Sequence, residues 1–80
     1  MKPRLVKVDW EDTTSHSGWS DKDEAKALQC LQCSTVGYIV SKKGSRLVLA
    51  ATLEHKHSMR SDQCVIPKGC IRKITHLREV

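Results

Sequence analysis

The sequence predicts a mainly β fold: one small five-stranded barrel with a short helix in its first long loop. Three observations carry this reading. Apolar and polar residues alternate in the opening segment, which is the period of a half-buried strand. β-branched and aromatic residues dominate the stretch around Tyr38. Turn formers divide the rest into short segments, and five short strands are too few for a two-layer sandwich of useful size. The 80 residues form a single domain, 1–80, whose core is modest.

In "RLVKVDW", Val6, Val8 and Trp10 fall on one face, with Lys7, Asp9 and Glu11 on the other. "EDTTSHSG" breaks all pattern and reads as a loop, with Trp19 at its far end. "SDKDEAKAL" predicts one or two helical turns. Ser20 is the expected N-cap and Asp23 stands three residues on, as in a capping box. Ala25 and Leu28 are the residues available to pin that helix to a core. "STVGYIVS" is strand-like, and Gly37 within it marks a bulge or a close backbone approach. "KKGS" is a turn in which Gly44 is free to take positive φ. "RLVLAATL" is almost continuously apolar, so both of its faces should be covered, by the barrel or by another subunit. "EHKHSMRSDQ" reads as a loop and "CVIP" as a strand stopped by Pro67. "PKGC" reads as a tight or 3₁₀ turn, and "IRKITHL" as a closing strand that starts after a register change near Ile71. A bent sheet closed into an SH3-like or Sm-like barrel leaves the fewest exposed edges for such a series.

The net charge is +5, unevenly placed. Residues 1–41 carry five Lys and Arg against six Asp and Glu, and residues 42–80 carry nine against three. The second half therefore suits an anionic ligand, although an excess of this size does not by itself announce a nucleic-acid binder. No apolar run has membrane-spanning length, and "MKPRLVKVDW" lacks the apolar core of a secretory signal. A cytoplasmic protein with no membrane association is expected, its four cysteines reduced thiols or metal ligands.

Three stretches, "VKVDWEDTTSHSGW", "CSTVGYIVSKKGSRLVLA" and "VIPKGCIRKITHL", together resemble a group of short uncharacterised proteins of bacteriophages and prophages. The shared positions are Val6, Val8, Trp10, Asp12, Gly18, Trp19, Ser34, Gly37, Tyr38, Ile66, Pro67, Lys68 and Ile71. The resemblance implies a phage or mobile-element origin, hence the host cytoplasm, and a small accessory role. It supplies no mechanism.

For chemistry, Cys30 and Cys33 have the spacing of half a zinc site. His55 with His57, or Cys64 with Cys70, are the available second halves, neither at standard spacing. The preferred reading treats Cys33, Cys64 and Cys70 as small buried hydrophobes, with no metal and no cofactor. No nucleophile elbow, activated cysteine or phosphate loop is present, so an enzyme is not expected. Scarce aromatics favour packing for both tryptophans, with Trp19 capping the barrel over Trp10. An exposed Trp19 would instead be a stacking or hot-spot anchor.

The candidate ligand-binding residues are Trp19, Lys42, Lys43, Arg46 and Asp12. Lys42, Lys43 and Arg46 share one hairpin tip, and Lys68, Arg72 and Lys73 would strengthen the patch if they face the same way. The reading is a non-enzymatic phage-type accessory protein, expected to be a homo-oligomer. It acts by occupying a host protein or an anionic nucleotide-like ligand, such as a nucleotide signal in host defence. The alternatives are a nucleic-acid-binding barrel and a zinc-stabilised interaction module.

Overall fold

The computed structural model describes residues 3–78. The chain runs β1 (Leu5–Asp12), α1 (Lys22–Lys26), β2 (Leu31–Ser41), β3 (Arg46–Glu54), β4 (Met59–Pro67), a 3₁₀ turn (Lys68–Cys70) and β5 (Ile71–His76). All five strands are antiparallel members of one sheet, in the order β4-β3-β2-β1-β5.

The expected alternation positions β1. Val6 and Val8 are fully buried, and with Leu47, Leu49 and Ile66 they form the core. Trp10, Ile39, Cys64, Ile71 and Ile74 pack around these five. The Trp10 indole N–H donates to Thr35 Oγ1 at 3.0 Å, which satisfies the one polar atom that this half-buried ring brings inward.

β2 divides its partners along its length. Leu31–Tyr38 pair with β1, whereas only Tyr38, Ile39 and Ser41 pair with β3. Gly37 stands at this handover. A Cβ there would lie 3.1 Å from the Ala50 carbonyl oxygen and 3.2 Å from Leu49 Cβ. The missing side chain is what lets β3 close on β2. Past this point the two halves part. The start of β2 continues with β1 into one arm, and the end of β3 continues with β4 into another. The molecule is accordingly long, 55 × 25 × 25 Å.

The sheet is curled but open, which corrects the expected closed barrel. β4 and β5 are its two edges, yet only the three-residue 3₁₀ turn joins them. Across a flat five-stranded sheet those edges would stand about 19 Å apart. The four steps from Pro67 to Ile71 reach at most about 14 Å, so the sheet must curl at that end. No ladder joins β4 to β5 among the described residues, because β4 is committed to β3 and leaves with it along the second arm.

Other expectations shift as well. The helix N-cap is Asp21, not Ser20: the Asp21 carboxylate accepts from the Glu24 N–H at 2.8 Å. No residue of α1 is buried, and Leu28 is exposed, so nothing pins the helix to the core. β2 starts at Leu31, which puts Cys33 within the strand. The segment read as a loop through Gln63 is a strand from Met59 onward. In β3, Ala51 and Thr52 are exposed rather than covered. Trp19 is fully exposed and caps nothing. The 3₁₀ turn and the register change near Ile71 are present, although β5 begins at Ile71 itself.

That register change is a bulge. Asp9 faces Lys73 and Trp10 faces Ile71, which leaves Arg72 as the extra residue. Its Nη2 donates to Glu11 Oε2 at 2.9 Å. The guanidinium, helped by a hydrogen bond from Gln32, lowers the Glu11 pKa, and Glu11 raises that of Arg72. A carboxylate whose pKa falls on folding adds stability above the ordinary carboxylate range and loses it as pH drops through the folded value. The expected result is a melting difference between the wild type and Arg72→Gln that is larger at neutral pH than in acid, where only the Arg72 bonds to the Gly69 and Ile71 carbonyls remain. Thermal melts across that range check it.

Candidate functional site

A cleft lies where the chain start, the end of β2 and the outer β3–β4 hairpin meet. It encloses about 520 Å³. Ile39, Val40 and Leu53 give it an apolar floor, Ser41 one hydroxyl, and Arg4, Lys42, Lys43 and Arg60 four cations. Among the described residues no carboxylate lines it.

Each cation is placed by backbone structure. The Ile39 N–H donates to the Arg4 carbonyl at 2.9 Å, which extends the β1–β2 ladder and holds Arg4 at the cleft. Lys42 and Lys43 sit in the β2–β3 turn, where Gly44 takes φ +69°. The Lys43 N–H donates to Ser41 Oγ at 3.3 Å. The turn is braced from the 3₁₀ segment: the Lys68 N–H donates to the Ser45 carbonyl at 2.8 Å, and Lys68 Nζ donates to the Lys42 carbonyl. Arg60 faces Leu53 across β3 and β4. Its Nη1 donates to the Ser58 carbonyl at 3.1 Å, and Ser58 itself takes φ 55° in the hairpin turn.

Glu54, which lines a neighbouring pocket with Leu53 and Arg60, is occupied. Its two oxygens accept from the Lys56 N–H at 3.0 Å and the His57 N–H at 2.8 Å, and His57 Nδ1 lies 3.3 Å away. The cleft cations therefore have no internal counter-ion in their lining, and a wet cationic pocket with an apolar floor is suited to an anion that also carries apolar surface.

Of the residues singled out in the sequence, Lys42 and Lys43 line the cleft. Arg46 opens β3 opposite Pro67, beside the turn but outside the lining. Asp12 pairs with Leu31 at the far end of β2 and its carboxylate accepts from the Thr13 N–H at 2.8 Å, and Trp19 follows it in the loop before α1. Eleven residues of β2 separate the two ends, roughly 35 Å at the rise of a strand. Within one chain, Trp19 does not join the lysines. Lys68 does share their turn, whereas Arg72 is engaged by Glu11 and Lys73 faces Asp9.

Sequence reasoning missed Arg4, Arg60 and Leu53. A hairpin signal was available for the last two. If "HKHS" is taken as the turn between two strands, Leu53 falls opposite Arg60.

The four thiols are free. Cys30 and Cys33 lie at the start of β2, and His55 and His57 lie at the β3–β4 turn. No group of three His, Cys, Asp or Glu able to hold a metal gathers among the described residues. No helix there is long and apolar enough to cross a membrane.

The fold and cleft define a class: a mainly β protein of one open antiparallel sheet with a cationic cleft at one end. Compared with protein-family models, curated proteins and solved structures, the chain finds no match in any of the three.

Proposed function

We propose that this is a non-enzymatic, phage-type accessory protein, an opened relative of the SH3-like and Sm-like barrels, that acts by occupying an anionic nucleotide-like ligand. The observation that carries the reading is the cleft itself, with Arg4, Lys42, Lys43 and Arg60 over a floor of Ile39, Val40 and Leu53. The cations take the phosphates by charge-assisted hydrogen bonds, and the floor takes the base or sugar. Sequestration of a nucleotide signal used in host defence is the biological role that this chemistry serves. It needs no catalytic group.

Calorimetric titration with pyrophosphate, ADP and a cyclic dinucleotide tests the proposal. The nucleotides should bind more tightly than pyrophosphate, because pyrophosphate gains nothing from the floor. Lys42→Glu combined with Arg60→Glu should weaken nucleotide binding by roughly 10²–10⁴-fold, from two charge-assisted bonds of about 1.5–3 kcal/mol each. Equal affinity for all three probes, or an unchanged affinity in the double variant, would overturn it. A mixed-sequence oligonucleotide that binds more tightly than any of them, with a steep loss of affinity in salt, would favour the nucleic-acid reading instead.

A further inference from the structure

We propose that copies of this chain assemble head to tail, with the Trp19 loop of one copy seated in the cationic cleft of the next. The two ends of the long molecule are complementary in charge. At one end, Trp19 is fully exposed, and the exposed Leu28 and Leu31 stand on the same arm. Around Trp19 the chain carries Asp12, Asp21, Asp23 and Glu24 against Lys22 and Lys26, an acidic excess. At the other end, the cleft offers about 520 Å³, an apolar floor and, among the described residues, four cations without a carboxylate in the lining. An indole flanked by carboxylates suits that cleft: the ring covers Ile39, Val40 and Leu53, and the acids meet Arg4, Lys42, Lys43 and Arg60.

The occupant is a second copy: within one chain Trp19 is fully exposed and is not among the residues that line the cleft. The contact joins two different surfaces, so it is heterologous and propagates into a ring or a chain rather than a symmetric dimer. It also reunites across two copies the groups that one copy keeps apart: Trp19 and Asp12 of one molecule with Lys42 and Lys43 of its neighbour. The inference rests on the same cleft as the proposed ligand function, but it does not need a soluble ligand.

Sedimentation velocity of the full chain in ligand-free, phosphate-free buffer tests it, over a range of protein concentration at low and high salt. Mass above that of a monomer is expected to grow with concentration and to fall with salt. Trp19→Ala should weaken association about tenfold or more, as for a central aromatic anchor, and leave the melting temperature at monomeric dilution unchanged because the ring packs on nothing in its own chain. An arm variant, Asp21→Lys with Asp23→Lys, and a cleft variant, Lys42→Glu with Lys43→Glu, should each be monomeric alone and associate when mixed. A monomer at every concentration would overturn the inference. So would assembly indifferent to Trp19→Ala, or a mixture of the two charge variants that stays monomeric. Because these samples contain no nucleotide, failure of the ligand proposal in calorimetry leaves this result readable on its own.

Discussion

Leu49→Ala is expected to cost about 3 kcal/mol of folding stability, within the range of about 2–5 kcal/mol for a buried leucine that leaves a cavity. Leu49 is only 1% exposed, one of the five largest fully buried side chains among the described residues. Its ladder partners on either side are Ile39 and Cys64, so truncation opens a gap between three strands at once. A chain of this length has a total stability of about 4–12 kcal/mol, and its core has no second layer to collapse into the gap. The melting midpoint should fall by roughly 12–24 °C, since each kcal/mol moves a domain of this size by about 4–8 °C. Val36→Ala is the comparison. Val36 lies on the opposite, solvent-facing side of the sheet and is about half exposed, so its loss should stay within about 0.5 kcal/mol. Urea denaturation of the three proteins measures both values. A midpoint for Leu49→Ala equal to that of Val36→Ala would show that the inner and outer faces have been assigned the wrong way round.

How far such features were legible in the sequence depends on whether burial had written them there. Val6, Val8 and Trp10 alternate with Lys7, Asp9 and Glu11 because one face of β1 is covered and the other is wet, and that difference is visible at once. Residues 59–63 of β4 are exposed throughout, so no period of two appears and the segment reads as a loop. Asp62 even takes φ 54°, a conformation more typical of turns than of strands. Trp19 is exposed although scarce aromatics favour packing, because the sheet does not close into an interior within reach of the first loop. Closure itself leaves little trace in composition, because it depends on whether two edges meet, not on what either edge contains. The cleft was half legible. Lys42 and Lys43 announce themselves as a basic turn, but Arg4 and Arg60 are brought to it by the curl of the sheet and by the register of β3 on β4. Neither arginine stands in a local pattern that marks it.

Gly37→Val is expected to be nearly as damaging as the core truncation, and for a different reason. The two atoms that a Cβ would meet are not free to yield. One is the Ala50 carbonyl oxygen, 3.1 Å away, and the other is Leu49 Cβ, 3.2 Å away and fixed to its own backbone. Alanine forces β3 back from β2 by a few tenths of an ångström, and valine adds two further carbons to the same gap. Overpacking of this kind costs about 1–3 kcal/mol. Gly69 supplies the contrast. An added Cβ there meets nothing within 4 Å, so Gly69→Ala should be neutral, or stabilising by about 0.4–1 kcal/mol through loss of unfolded-state freedom. The consequence of Gly37→Val also extends past stability. β2 and β3 share a ladder only from Tyr38 to Ser41, and that ladder sets Ile39 and Val40 against Leu53 across the cleft. Prising the strands apart beside that ladder separates the two walls, so a folded Gly37→Ala protein should bind nucleotide more weakly than the wild type even though no cation has been touched. Melting and calorimetry on the same samples separate the two effects. If Gly37→Val melts with the wild type, β3 does not approach β2 closely at this residue, and the division of the sheet into two arms must originate elsewhere.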